Sequence, residues 1–175
     1  MNIGKGSRNV NDAVDPRYAA WLEAGRVFAE RMIAERSTYA SGRAALQFYF
    51  SRKSVELAQG SSVRAAGRID VRPETLRKFL VTRGGVFGLK PDAQRQAEFW
   101  ASSLAIHGAQ YREALFTWNR CLLLAAIHYC NGNHLAAARL LDVHRNTVWR
   151  IPDSPEQTRM MSTRRVYRRT ANVAA

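Results

Sequence analysis

The side chains best suited to chemistry cluster between residues 131 and 150. That stretch reads Asn131-Gly132-Asn133-His134-Leu135-Ala136-Ala137-Ala138-Arg139-Leu140-Leu141-Asp142-Val143-His144-Arg145-Asn146-Thr147-Val148-Trp149-Arg150. Arg145, Asn146 and Thr147 set a guanidinium, a carboxamide and a hydroxyl side by side. These groups can reach phosphate oxygens and base edges. The elements needed to position them can be read from the same residues. Gly132 breaks the preceding helix, and Ala137 and Ala138 let a short helix approach its neighbour closely. Leu140, Leu141 and Val143 supply apolar contacts, Asp142-Val143-His144 forms a turn, and a second helix opens at Arg145. The spacing predicts a helix-turn-helix.

At these residues the chain resembles the C-terminal DNA-binding region of the Fis (factor for inversion stimulation) type, which also closes many bacterial enhancer-binding activators. The run G-N-x-x-x-A-A-x-L-L-x-V-x-R-N-T-V-x-R carries the resemblance, with a fitting helix ahead of it. The resemblance implies a second short helix lying in the major groove, with Asn133, Arg145, Asn146, Thr147 and Arg150 as contacts. It also implies a homodimer. His144 and Trp149 flank the same helix and join the candidates. Two departures stand out. Asp142 occupies the turn position where the family usually has glycine. Pro152 also ends the second helix early, since it lacks an N–H and disfavours helix at Ile151.

Other chemistry finds no support. His128 and Cys130 lie two apart on a helix, diverge by about 200°, and cannot share a metal from that helix alone. No paired carboxylates stand out. No G-x-x-x-x-G-K-[ST] phosphate loop precedes the motif, which excludes an enhancer-binding ATPase. A serine recombinase would need an α/β catalytic domain where this chain reads as helical. A non-enzyme without metal or cofactor is expected.

Composition points the same way. Across 175 residues, 27 are Lys or Arg and 14 Asp or Glu, a formal charge of +13. Only Lys5, Lys53, Lys78 and Lys90 are lysine. Arginine suits planar contact with phosphate and guanine, and the excess favours a polyanionic partner. Cys121 and Cys130 do not suggest an oxidised scaffold. Residues 1–15 do not read as a signal peptide, and the longest apolar run, Cys121 to Ile127, is far short of a membrane span. A cytoplasmic, nucleoid-associated protein is expected.

Beyond the motif the chain reads as helical throughout. Residues 1–15 form a flexible arm. Pro16 opens a helix that runs to about Arg36, with Trp21, Leu22, Phe28, Met32 and Ile33 mostly on one face. Ser41-Gly42 is expected to interrupt, with a second helix from about Arg43 to Gln59. Gly84-Gly85-Val86-Phe87-Gly88 is a linker. Pro91 starts a helix ending near Gly108, and another spans Ala109 to Cys130.

Residues 60–78 lie on residues 132–150 at a constant shift of 72. Gly60 falls on Gly132, Ala65-Ala66 on Ala137-Ala138, Asp70-Val71 on Asp142-Val143, and Thr75 on Thr147. The upstream helices align at the same shift. This pattern predicts an internal repeat, with a first helix-turn-helix whose candidates are Arg72, Thr75, Arg77 and Lys78. Gly67 weakens its first short helix, whereas Pro73 opens its second well. Past Pro152 a linker leads to a tail with Arg159, Arg164, Arg165, Arg168 and Arg169, suited to tracking phosphates.

The expected architecture is therefore all-α, a helical bundle with two helix-turn-helix units related by an internal repeat. A unit over 16–85 and a unit over 89–152 are flanked by the arm and by the basic tail, 153–175. The expected function is a bacterial or phage transcriptional regulator that reads double-stranded DNA. The alternative is a phage DNA-packaging recognition subunit, or an antitermination factor that docks on RNA polymerase.

Overall fold

A computed structural model describes residues 16–81 and 87–149. The expected arm, Gly84-Gly85, Arg150, Pro152 and the tail with Arg159, Arg164, Arg165, Arg168 and Arg169 lie outside the described residues. Among the described residues there are eight α-helices and no strand, so the fold is all-α. They are α1 (Pro16–Ala34), α2 (Tyr39–Leu57), α3 (Ser62–Arg68), α4 (Pro73–Val81), α5 (Pro91–Ile106), α6 (Tyr111–Tyr129), α7 (His134–Leu140) and α8 (Arg145–Trp149). None of them is long and apolar enough to cross a membrane.

Local signals set the helix ends. Thr38 caps α2, its side chain accepting from the Ser41 N–H at 3.2 Å. Glu113 reaches back to the Gln110 N–H at 2.8 Å and so closes the start of α6. Helices end where the backbone turns left-handed: at Arg36 (φ 54°) and Gly108 (φ 77°), and at Gln59-Gly60 and Asn131-Gly132. The freed carbonyls are satisfied in each case. Ser37 N–H bonds Met32 O at 2.8 Å and Ala109 N–H bonds Leu104 O at 3.0 Å.

One expectation is corrected. Ser41-Gly42 does not interrupt; both residues lie inside α2, which starts four residues earlier than expected. The break falls at Glu35–Thr38 instead. Gly42 is there for close packing: a Cβ on it would stand 2.4 Å from Met32 Cε and 3.2 Å from the Trp118 ring. Ser41 takes part in the cap.

The long helices cross between the two halves of the sequence. α2 packs on α5 and α1 on α6, while α1 and α5 meet in the middle. Phe28, Met32, Leu46, Phe50, Trp100, Leu104, Trp118 and Leu122 are all buried there. The Phe28 and Trp100 rings lie 6.0 Å apart, and the Trp100 indole N–H donates to Trp21 O at 3.0 Å. Beside them Cys121 is buried against the position of Gly25, and burial pushes its thiol up to about 12. The same core takes in Ala65, Ala66, Ile69 and Leu76 from α3–α4 and Ala137, Ala138, Leu141 and Val148 from α7–α8. The two sequence units therefore share one hydrophobic core.

The helix bounds recur at a shift of 72. Tyr39–Leu57 falls on Tyr111–Tyr129 and Ser62–Arg68 on His134–Leu140; Pro73 falls on Arg145, and the ends of α1 and α5 coincide. The contacts recur as well, and reciprocally. Tyr39 N–H bonds Leu141 O at 3.0 Å, and Tyr111 N–H bonds Ile69 O at 3.1 Å. Tyr39 Oη donates to Asn119 Oδ1 at 2.6 Å, and Gln47 Nε2 donates to Tyr111 Oη at 2.7 Å.

Candidate nucleic-acid interface

The α7–α8 pair is built from its capping residue upward. Asn133 Oδ1 accepts from the Ala136 N–H at 3.0 Å and starts α7. Asn133 was expected to touch a partner; its side-chain oxygen is engaged in this cap. Ala137 and Ala138 are buried, so α7 lies close on the core. The chain then turns left-handed at Asp142 (φ 54°), and Val143 N–H bonds Ala138 O at 2.9 Å. Asp is among the few non-glycine types that tolerate this conformation, so the turn forms here without glycine.

α8 is held by its ends and by one side chain. The Asn146 N–H donates to His144 Nδ1 at 3.2 Å and the Thr147 N–H to His144 O at 2.8 Å. His144 thus anchors the helix it precedes. Val148 is fully buried and fixes which side of α8 faces inward. His144, Arg145 and Asn146 are exposed, and Thr147 is half-buried. Trp149 is 69% exposed, with its ring 5.0 Å from that of His134. His144, Arg145, Asn146 and Trp149 are therefore all solvent-exposed on α8 and its approach, and Thr147 is half-buried.

The α3–α4 pair is built in the same way. Ser61 Oγ accepts from the Arg64 N–H at 3.3 Å, Ala65 and Ala66 are buried, and Asp70 has φ 54°. Leu76 is buried as Val148 is. Arg72, Glu74, Arg77 and Lys78 are exposed on α4 and its approach, with Thr75 half-buried. Gly67 lies inside α3 as expected, with open space where a side chain would be.

Ion pairs on the long helices join Glu23 and Glu30 with Arg26, Arg31 and Arg95 with Asp92, Arg52 with Glu98, and Lys53 with Glu56. Among the described residues none of these pairs engages Arg72, Arg77 or Arg145. Arg64 and Arg68, whose charge the sequence already suggested for phosphate contact, are exposed on α3, and Arg139, which the sequence reading did not single out, is exposed on α7. The four-residue spacing of Arg64 and Arg68 places both on one helical face.

The surface offers guanidinium and amide donors on a short helix anchored from behind. Such a helix can recognise phosphates and the major-groove edges of bases. A 640 Å³ apolar groove between α1 and α6, lined in part by Leu22, Ile33 and Leu124, shares no residue with either short-helix pair. No group of three or more His, Cys, Asp or Glu that could hold a metal occurs among the described residues. No family model, no curated protein and no solved structure matches the chain.

Proposed function

We propose that this chain is a sequence-specific double-stranded DNA-binding regulator of bacterial or phage type, acting at the nucleoid and reading the major groove with α8. The observation that carries the reading is the sidedness of α8. Val148 is buried while His144, Arg145, Asn146 and Trp149 face solvent beyond a left-handed turn. That is how a recognition helix must be held: fixed from behind, with base-reading groups outward. The resemblance of residues 131–150 to the Fis-type region supports the same role. The charge of +13 supplies a long-range attraction for a polyanion, and phosphate contacts would provide most of the affinity.

Arg145 is the residue to test. An arginine at the start of a recognition helix makes bidentate contact with guanine most readily. Arg145→Ala is expected to lose ~1–3 kcal/mol on the preferred duplex and little on random duplex. Affinities measured by fluorescence anisotropy on both duplexes check this. Equal loss on both would assign Arg145 to the phosphate backbone, and no loss on either would remove it from the interface. Duplex binding that appears only with RNA polymerase or a packaging motor present would replace the regulator with a docking factor.

A further inference from the structure

We propose that one chain is a complete two-headed reader: α4 and α8 are two recognition helices related by an internal twofold axis, and a single molecule occupies two half-sites of one duplex. The proposal rests on the duplex-DNA reading above. It adds the stoichiometry and the form of the site, and it needs no second copy of the chain.

The twofold relation follows from the reciprocity of the contacts. Shifting Tyr39–Leu141 by 72 does not give a third, new contact further along the molecule. It gives Tyr111–Ile69, in which the first half receives what the second half received before. The side-chain bonds Tyr39–Asn119 and Tyr111–Gln47 exchange in the same way. An operation that takes each half to the other, and back to itself on repetition, is a twofold rotation, the symmetry of an isologous dimer interface. Residues on the axis must meet their own counterparts. Phe28 and Trp100 are counterparts, and their rings lie 6.0 Å apart. α1 and α5 are counterparts as well, and they pack on each other.

The same contacts tie the two heads together through α2 and α6. α2 starts at Tyr39, bonded to the Leu141 carbonyl in the turn of the second head, and ends where the chain enters the first head. α6 runs the opposite way, from the Ile69 carbonyl in the first head to the second. Each is 19 residues long. At about 1.5 Å per residue, each of these connecting helices is about 28 Å long. Successive major-groove faces recur at ~34–36 Å, and connecting helices of this length are of the same order. Two struts of equal length, running in opposite senses, join the heads.

The heads are not identical, so the half-sites differ. Arg72 stands where the second head has His144, Glu74 where it has Asn146, and Arg77 where it has Trp149. Glu74 is repelled by phosphate but can accept from a cytosine amino group, whereas Asn146 suits adenine. The site is an imperfect palindrome with one half of each kind.

The test is a hydroxyl-radical footprint of the full chain on a duplex selected from a random library, with sedimentation to count chains per duplex. The expected result is two protected patches about one helical turn apart, with one chain bound. Changing Arg77→Ala and Lys78→Ala together should abolish one patch and leave the other. Both residues are exposed, and circular dichroism checks that the variant keeps its helices. Glu74→Asn, a substitution to the amide found in the other head, should change the preferred sequence of the same patch only. A single patch, two patches that need two chains, or a footprint unchanged by both variants overturns the two-headed reader while leaving duplex reading intact. A chain that binds no duplex overturns both.

Discussion

Asp70 and Asp142 hold the same left-handed backbone, φ 54°, at the turn of each short-helix pair. The strain is local and testable. Asp142→Gly should change stability by within about 1 kcal/mol, on the stabilising side, whereas the β-branched Asp142→Val should cost about 1–2 kcal/mol. Urea unfolding of the two variants checks the order. The turn itself was readable from Asp142-Val143-His144, because short polar residues between apolar runs have few other uses. Individual roles within it were less readable. Asn133 and His144 both read as contacts; the structure adds that Asn133 Oδ1 caps α7 and that the His144 ring accepts from the start of α8. Side-chain type identifies a hydrogen-bonding group; it does not say whether the backbone one or two residues on will claim it.

At the scale of elements, helix positions followed from apolar spacing, prolines and terminal glycines, and the bounds at Pro16, Pro91 and Gly108 stand near where those signals put them. Ser41-Gly42 did not follow the rule, because glycine marks a turn in one setting and a close approach in another. Only the neighbouring Met32 and Trp118 distinguish the two. The crossing of α1 to α6 and α2 to α5 was not readable at all. Periodicity shows that a helix has a buried face, not which helix covers it. The crossing makes a paired prediction. Tyr39→Phe and Tyr111→Phe each remove one bond between the halves, to Asn119 and Gln47 respectively. Each should cost ~0.5–1.5 kcal/mol, and the two costs should be similar. Denaturant midpoints of the two variants, compared at equal slope, measure this.

For the molecule as a whole, the shared core forbids independent halves. Each short-helix pair is bonded through its turn to the first residue of a long helix from the other half. Unfolding followed by tryptophan fluorescence and by far-ultraviolet circular dichroism should therefore give one coincident transition; two separated transitions would show halves that fold alone. The charge of +13 and the exposed arginines at both short-helix pairs then act from one rigid frame. The most direct measurement is selection of duplexes from a random library by the full chain, followed by titration of the enriched and scrambled sequences at physiological salt. A sequence-reading protein enriches a consensus and binds it about 10³-fold or more tighter than the scrambled duplex. Equal affinity for both, with no enriched sequence, would contradict major-groove reading by α8.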